Sequence, residues 1–596
     1  MKPLRFTSEH LLIALAFLLG MGLRLINLGY APLSDYEAKW ALQALSIARG
    51  ENIAIGSQPG YIMLSGFLFW IFGSSNFLAR FVPALAGSCL ILSPLLFRSR
   101  LKQLPTLILV FALALDPGLV GISRLAGGSM LAASCAILAI GFAINRRPVL
   151  TGIFAGLALL SGSSLWIGAL ALSITLLILR WRKQLPFFDE SIADFLETQR
   201  SDRQSCLLRG ILSMAITIAL VASLFLRYPH GLGAWLLSIS DFFKGWVTPS
   251  GVPALRLAAG LLVYQPLAVI FGLIGIAHIW INPSQTHLHP QLVKGLALWS
   301  ILSLLTAFVY IGRSMGDLVW TLIPLWTLAA LELGYLFNPV ESPIIVFGEA
   351  TLTFVILCIT WLLFSAIAST GGVFMDWLQL AQLIGSLSLL VLAAYLFSTG
   401  WGWKVSRAGL VWGSVIFLSL YMLSATWGVS QYSAGGKRYL RQELWYPAPL
   451  TGNADLFTSA LSDLSLWHTN HRNTIDIRLA VDAPSMLWIL RDFSNVKPAS
   501  IDTPVADISH LPPEQLPSII ITYPLDGDLN LSAAYRGQDF SWQIYPSWDG
   551  ALPFPALSWL VFRNAPEESV QVTLWARADL FPGGDLEIEE TSQVTP

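Results

Sequence analysis

Apolar runs of about 18 residues or more recur along the first 430 residues, each long enough to cross a hydrocarbon core of ~30 Å. That repetition excludes a soluble enzyme built around one core. Candidate spans cover 11–29, 77–97, 104–122, 128–144, 148–161, 163–180, 209–226, 257–282, 293–311, 317–337, 350–369, 377–399 and 409–428. Glu349 blurs the start of the eleventh, and the fifth is short. Clusters of Lys and Arg mark the cytoplasmic side: Lys2/Arg5, Arg98/Arg100/Lys102, Arg146/Arg147, Arg180/Arg182/Lys183 with Arg200/Arg203/Arg209, and Lys404/Arg407. One apolar run, YIMLSGFLFWIFG at 61–73, is too short for this scheme and would invert the 98–102 cluster. It is expected to be an interfacial or partly re-entrant helix on the outer face. The N-terminus is then expected in the cytoplasm, and the apolar start is expected to be an uncleaved first span.

From about 430 the pattern changes. Apolar runs shorten, and Pro, Asp and Asn become frequent. A helical pattern at 453–468 leads to TIDIRLAVD (474–482), whose alternation predicts a strand. PSMLWILRDF (484–493) predicts a helix; PSIIITYP (517–524), SWLVFR (558–563) and SVQVTLWAR (569–577) predict strands. The expected architecture is a polytopic α-helical membrane protein of about 13 spans with a C-terminal extracytoplasmic α/β domain. The membrane domain covers 1–429, with an outer loop at 30–76, and the soluble three-layer domain covers 430–596, ending in an acidic tail.

A net charge of -1 and the absence of any basic block give no support to a nucleic-acid partner. The four cysteines, Cys89, Cys135, Cys206 and Cys358, show no metal spacing. His287 and His289 form an H-x-H pair in a polar loop, where solvated histidines are commoner than metal ligands. No G-x-G-x-x-G follows a strand.

The chemistry concentrates after the first span, in GYAPLSDYEAKWALQALSIARG (29–50). Ser34 and Glu37 have capping-box spacing and Gly50 is a stop signal, so 35–49 should be a helix. Tyr36, Trp40, Ala44 and Ala48 line one face; Asp35, Lys39, Gln43 and Ser46 line the other. Glu37 fits a capping role, and Asp35 also suits the first turn, where the helix dipole favours an anion.

Arg24-Leu25, PLSDYEAKWALQA and SQPGYIMLSGFLFWIFGSSNFLARFVPALAG together resemble the start of GT-C glycosyltransferases. The nearest kin are glycosyltransferase family 39, protein O-mannosyltransferases and aminoarabinose transferases of lipid A. GISRLAGGSMLAA (121–133) and GRSMGDLVWTLIPLWTLAAL (312–331) resemble later outer-face elements of that family, and the order of these stretches makes the signal. The acidic pair is split here, as Asp35-Tyr36-Glu37, and Gln58-Pro59-Gly60 lacks a basic residue. SMLWILRDFSNV (485–496) is similar to W-Y-L-R-D-x-x-N-V in a GT-C-like group associated with lipid-linked glycan export.

The resemblance implies an inverting transferase that takes a sugar from a polyprenyl-phosphate donor at the outer face of the cell membrane. The acceptor would be a glycan, lipid or protein. An acceptor hydroxyl has a high pKa and needs a carboxylate to take its proton. Asp35 is the expected base, with Glu37 assisting or capping. Arg124, Arg313 and Arg80 are the cations that suit a lipid phosphate, although Arg80 also fits a span-end residue that snorkels. Gln58, Lys39 and Asp116 complete the candidate set; Asp116 beside Pro117 is a second carboxylate or a turn residue. No cofactor is expected. Paired carboxylates near phosphate suit Mg²⁺ or Mn²⁺ in the oligosaccharyltransferase branch, whereas family 39 works without metal. A non-catalytic accessory protein of lipid-linked glycan export stays open as an alternative. A transporter fits less well, because its ionisable groups would lie near the midplane.

Overall fold

Ser8 to Leu25 form the first apolar helix, α1. The computed structural model describes residues 8–182, 200–281, 290–337, 342–369, 377–430, 443–446, 449–506, 508–525, 529, 531–548 and 550–581. The Lys2/Arg5 cluster, Lys183, the His287/His289 pair and the acidic tail fall outside these residues.

After α1 come α2 (Asp35–Arg49), α3 (Pro59–Phe72), α4 (Asn76–Leu90) and the single turn α5 (Arg98–Leu101). They are followed by α6 (Gln103–Leu115), α7 (Pro117–Ser123), α8 (Ser129–Ile144), α9 (Pro148–Leu159) and α10 (Ser164–Trp181). Next come α11 (Arg200–Ala222), α12 (Ala234–Lys244), α13 (Ala254–Tyr264), α14 (Pro266–Ile281), α15 (Pro290–Val309) and α16 (Val319–Leu336). The series ends with α17 (Pro343–Ser369), α18 (Trp377–Trp401) and α19 (Trp403–Ser430). Among the described residues nine helices are long and apolar enough to cross a membrane, or eleven if each of two bent pairs is one span. The chain is a multi-pass membrane protein. All thirteen expected spans coincide with helices, two of them the shorter α8 and α9, and 61–73 is the separate short helix α3.

Two spans are broken where the sequence places proline. Pro117 bends α6 from α7 by 53°, and Pro266 bends α13 from α14 by 93°. Proline lacks the N–H that would continue the ladder and pushes the residue before it out of the helical region. Asp116 and Gln265 accordingly have extended or irregular backbone. Glu349 lies inside α17, which begins earlier than expected; its carboxylate accepts a bond from the Ser406 hydroxyl of α19 at 2.6 Å. Helix packing relies on small residues that let backbones approach. A Cβ on Gly152 of α9 would stand 2.2 Å from the Gly210 carbonyl of α11.

The chain divides into two compact units. The first comprises 1–31, 43–446 and 548–566; the second comprises 32–42, 447–547 and 567–596. The second unit holds one six-stranded sheet in the order β1-β5-β6-β4-β2-β3. Its strands are β1 (Leu450–Thr451), β2 (Ile477–Ala480), β3 (Val496–Pro498), β4 (Ile519–Thr522), β5 (Tyr535–Pro546) and β6 (Glu567–Arg577). β2 runs parallel to β3 and β4, while β4, β6, β5 and β1 pair antiparallel. Alternation separates the faces. Ile519 and Ile521 join α20 (Ala454–Thr469) and α21 (Pro484–Ile489) in one cluster, and Ile520 turns to the other with Ile508, Leu529 and Leu531. Among the described residues the second face is therefore covered by Val505, Ile508, Leu511, Leu516, Leu529, Leu531 and Ala533 rather than by a third layer of helices.

SWLVFR is a correction. It folds as α22 (Ala556–Phe562), in the first unit. A six-residue run with Trp, Leu and Val satisfies either period, and Pro555 just before it supplies a helix start that periodicity does not register. The long strand β5 was missed, because Gly537, Gln538 and Asp539 interrupt its apolar pattern.

Candidate functional site

In the second unit, α2 starts with the capping box that the sequence announced. The Ser34 N–H and hydroxyl donate to Glu37 Oε2, both at 3.1 Å, and the Glu37 N–H returns to Ser34 Oγ at 3.4 Å. Glu37 is only 2% exposed. Its geometry satisfies otherwise unpaired N–H groups at a helix start.

Asp35 is half-buried and is held by two donors from distant sequence. Its Oδ1 accepts the Ser485 N–H at 2.9 Å, and its Oδ2 accepts Gln543 Nε2 at 2.5 Å. Ser485 is the second residue of α21, whose first position is Pro484. The carboxylate therefore takes an N–H that the start of α21 leaves without an intrahelical partner. Gln543 reaches it from a bulge: the β5–β6 register slips between Ser541 and Gln543. An extra residue in one strand re-aims side chains that would otherwise point to opposite faces. Trp542 reaches the start of α21, its indole donating to Ser485 Oγ at 3.1 Å, while Gln543 reaches Asp35. The Thr451 hydroxyl adds a bond to the Leu33 carbonyl at 2.8 Å.

Two phenols respond to this carboxylate. Burial pushes Tyr523 above the usual phenol range, and the charges of Asp35 and Asp482 push it further. Burial followed by Asp35 does the same to Tyr545. Asp482 and Tyr523 follow the parallel strands β2 and β4, so these groups collect at the strands' carboxyl ends, the customary ligand side of such sheets. Lys39 is exposed, its Nζ lying 5.4 Å from the Trp40 ring.

The export-like motif builds the same corner. The Arg491 guanidinium stacks 4.5 Å over the Trp488 ring and donates to the Trp488 carbonyl at 2.7 Å. Asn495 donates to the Thr474 carbonyl at 3.0 Å and accepts the Ile477 N–H at 2.9 Å through its own carbonyl. The motif thus fixes α21 and the entry to β3.

In the first unit, Arg80 and Arg124 come together on one feature, the chain leaving α1. Arg124 Nη1 donates to the carbonyls of Leu23, Arg24 and Ile26 at 2.8–3.2 Å, and Nη2 to that of Asn27 at 3.3 Å. Arg80 Nη1 donates to Leu28 and Ala31 at 3.2 and 2.8 Å. Cations at a helix C-terminus satisfy its orphan carbonyls and complement its dipole. Arg24, fully buried, does the same for α6 through Leu113 and Ala114. Arg313 bridges the carbonyls of Val252 and Phe308, both at 3.0 Å.

Asp116 is fully buried and caps α7, accepting the Leu119 N–H at 2.6 Å and Trp326 Nε1 at 2.7 Å. Gln58 Oε1 accepts the Gly128 N–H at 2.9 Å, and the Gly60 N–H donates to Leu160 at 2.8 Å. A Cβ on Gly128 would lie 1.8 Å from the Ser161 carbonyl, which is why glycine stands there. Among the described residues no three His, Cys, Asp or Glu side chains gather in a way that could hold a metal ion. Sequence reasoning missed Ser485 and Gln543. A proline opening a helix after a strand marks the first; nothing in the sequence marks the second.

No protein-family model and no curated protein sequence matches the chain. Solved structures do. ArnT from Cupriavidus metallidurans bound to undecaprenyl phosphate aligns at TM-score 0.52 and 14% identity, over 96% of this chain and 98% of that one. This chain has the GT-C fold. The apo state of the same ArnT aligns at TM-score 0.50 and 13% identity with the same coverage. The archaeal oligosaccharyltransferase AglB from Archaeoglobus fulgidus, in complex with an inhibitory peptide and a dolichol-phosphate, aligns at TM-score 0.41 and 13% identity, over 86% of this chain and 69% of that one.

Proposed function

We propose that this GT-C-fold protein transfers a sugar from a polyprenyl-phosphate-linked donor to an acceptor at the outer face of the cell membrane, with inversion and with Asp35 as general base. The observation that carries the reading is a fold shared, over nearly the whole chain, with an ArnT bound to undecaprenyl phosphate. An attacking hydroxyl needs a carboxylate that is ionised and fixed in direction. Asp35 is fixed in direction, because two donors hold its oxygens. Glu37 holds the helix start in place. Arg80, Arg124 and Arg313 supply positive charge, each bound to backbone carbonyls. The test is transfer by purified protein from polyprenyl-phosphate sugars, wild type against Asp35→Asn. Transfer by wild type and its loss in the variant support the reading; equal rates sink the base assignment.

One observation favours a second reading. Both Asp35 oxygens already accept hydrogen bonds, which suits a carboxylate that fastens Pro32–Leu42 to the sheet domain of an accessory protein. That reading gains if wild type transfers nothing from any donor.

A further inference from the structure

A cavity of about 290 Å³ opens in the first unit between α17, α19 and α22. Its walls are apolar, with Phe354, Cys358 and Trp361 from α17 and Phe417 and Leu420 from α19. Two charged side chains line it, Glu443 and Arg563. Arg563 is 8% exposed; its guanidinium also meets the Tyr421 hydroxyl, and its Nη1 is buried with no hydrogen-bond partner. The guanidinium stacks against Trp559 at 4.5 Å and Tyr264 at 4.8 Å. Its Nε lies 3.8 Å from Glu443 Oε2, an ion pair too long for a hydrogen bond. The same oxygen accepts the Tyr264 hydroxyl. Arg563 also holds a left-handed backbone conformation, φ 56°, unusual for so large a side chain. A buried guanidinium N–H without an acceptor is costly to leave so, and an anion in the cavity would remove that cost.

The helices beside the cavity expose Val355, Ile359, Leu362 and Leu420, as lipid-facing surfaces do. An occupant is therefore an amphipath, anionic at one end and apolar at the other. Glu443 decides its charge. A bare polyprenyl monophosphate brings up to two negative charges towards a carboxylate. A headgroup carrying both phosphate and ammonium matches the Arg563–Glu443 pair with opposite charges on each. The volume, at the low end of ligand pockets of ~300–1,000 Å³, suits a headgroup and the first part of a chain, with the remaining chain along α17 and α19.

We propose that this cavity binds the headgroup of a membrane aminophospholipid, its phosphate on Arg563 and its ammonium towards Glu443. The site is independent of any transfer at Asp35. The experiment is native mass spectrometry of the delipidated full chain with phosphatidylethanolamine, phosphatidylglycerol or undecaprenyl phosphate, using wild type, Arg563→Gln and Ser424→Trp. Ser424 lines the cavity and is exposed, so a tryptophan there fills it without touching the charged pair. Wild type should retain one phosphatidylethanolamine, at least about tenfold more weakly held in each variant. Phosphatidylglycerol and undecaprenyl phosphate should bind the variants as they bind wild type. Undiminished phosphatidylethanolamine binding by Arg563→Gln overturns the proposal. So does loss of either other lipid in its place. If Arg563→Gln does not fold, Ser424→Trp decides alone: retention overturns, loss supports.

Discussion

Exchanging the carboxylate of Asp35 for an amide separates a chemical role from a structural one. In Asp35→Asn, the remaining oxygen still accepts the Ser485 N–H, but Nδ2 now faces Gln543 Nε2, a donor against a donor. Hydrogen bonds to charged groups are worth about 1.5–3 kcal/mol, so the local structure should weaken by about 2 kcal/mol. At 1.4 kcal/mol per factor of ten, amide exchange through 485–492 should speed up by about thirtyfold. Loss of a positioned base costs ~10²–10⁴-fold in transfer rate. The double variant Asp35→Asn with Gln543→Glu restores a complementary pair, because Nδ2 then donates to a carboxylate. Exchange protection should return. Transfer should not, because the restored charge sits on the wrong side chain. If transfer returns together with protection, the single variant failed for structural reasons and Asp35 is a fastening, not a base. Full activity in Asp35→Asn refutes the assignment outright. Glu37→Gln, which keeps the capping geometry, should cost at most about 1 kcal/mol and little activity.

In a cysteine-free background, Lys244→Cys and Asp502→Cys should react with an impermeant thiol reagent applied from outside, and Lys102→Cys should not; labelling at 102 means that α3 spans the membrane. The Tyr523 phenol is raised by burial and then by the charges of Asp35 and Asp482. Phenolate formation is opposed by those anions, so Asp35→Asn should move its midpoint, followed by NMR of tyrosine-labelled protein, to lower pH. An unchanged midpoint would mean that the carboxylate does not reach the ring. Gly128→Ala forces a Cβ to within 1.8 Å of the Ser161 carbonyl. It should destabilise the purified protein by about 1–3 kcal/mol, seen as a lower thermal midpoint.

The spans were legible because a hydrocarbon core admits little besides long apolar helices, and the short run at 61–73 was separable because basic clusters constrain how many crossings precede 98–102. The capping box at Ser34 and Glu37 was legible because its partners lie three residues apart. What escaped detection is non-local. SWLVFR could satisfy two periods, and its context selected the helix. Gln543 meets Asp35 across 508 positions of sequence, through a bulge that no local pattern encodes. The breaks at Pro117 and Pro266 were visible as prolines, but the angles of 53° and 93° depend on what packs around them.

The arginines carry the same lesson into the site. A cation at the end of a span suggests a lipid phosphate, and from sequence alone Arg80, Arg124 and Arg313 qualified equally. Backbone carbonyls at helix ends compete for the same donors, and sequence does not record which side chain reaches them. In the folded chain Arg124 meets four carbonyls around the end of α1, Arg80 two and Arg313 two. A phosphate approaching Arg80 or Arg124 must share donors that already hold the chain leaving α1. Arg563 differs in its surroundings, where a carboxylate and two rings stand in place of backbone carbonyls. It lies beyond the stretch where family resemblance directs attention, and only burial and contact distances single it out.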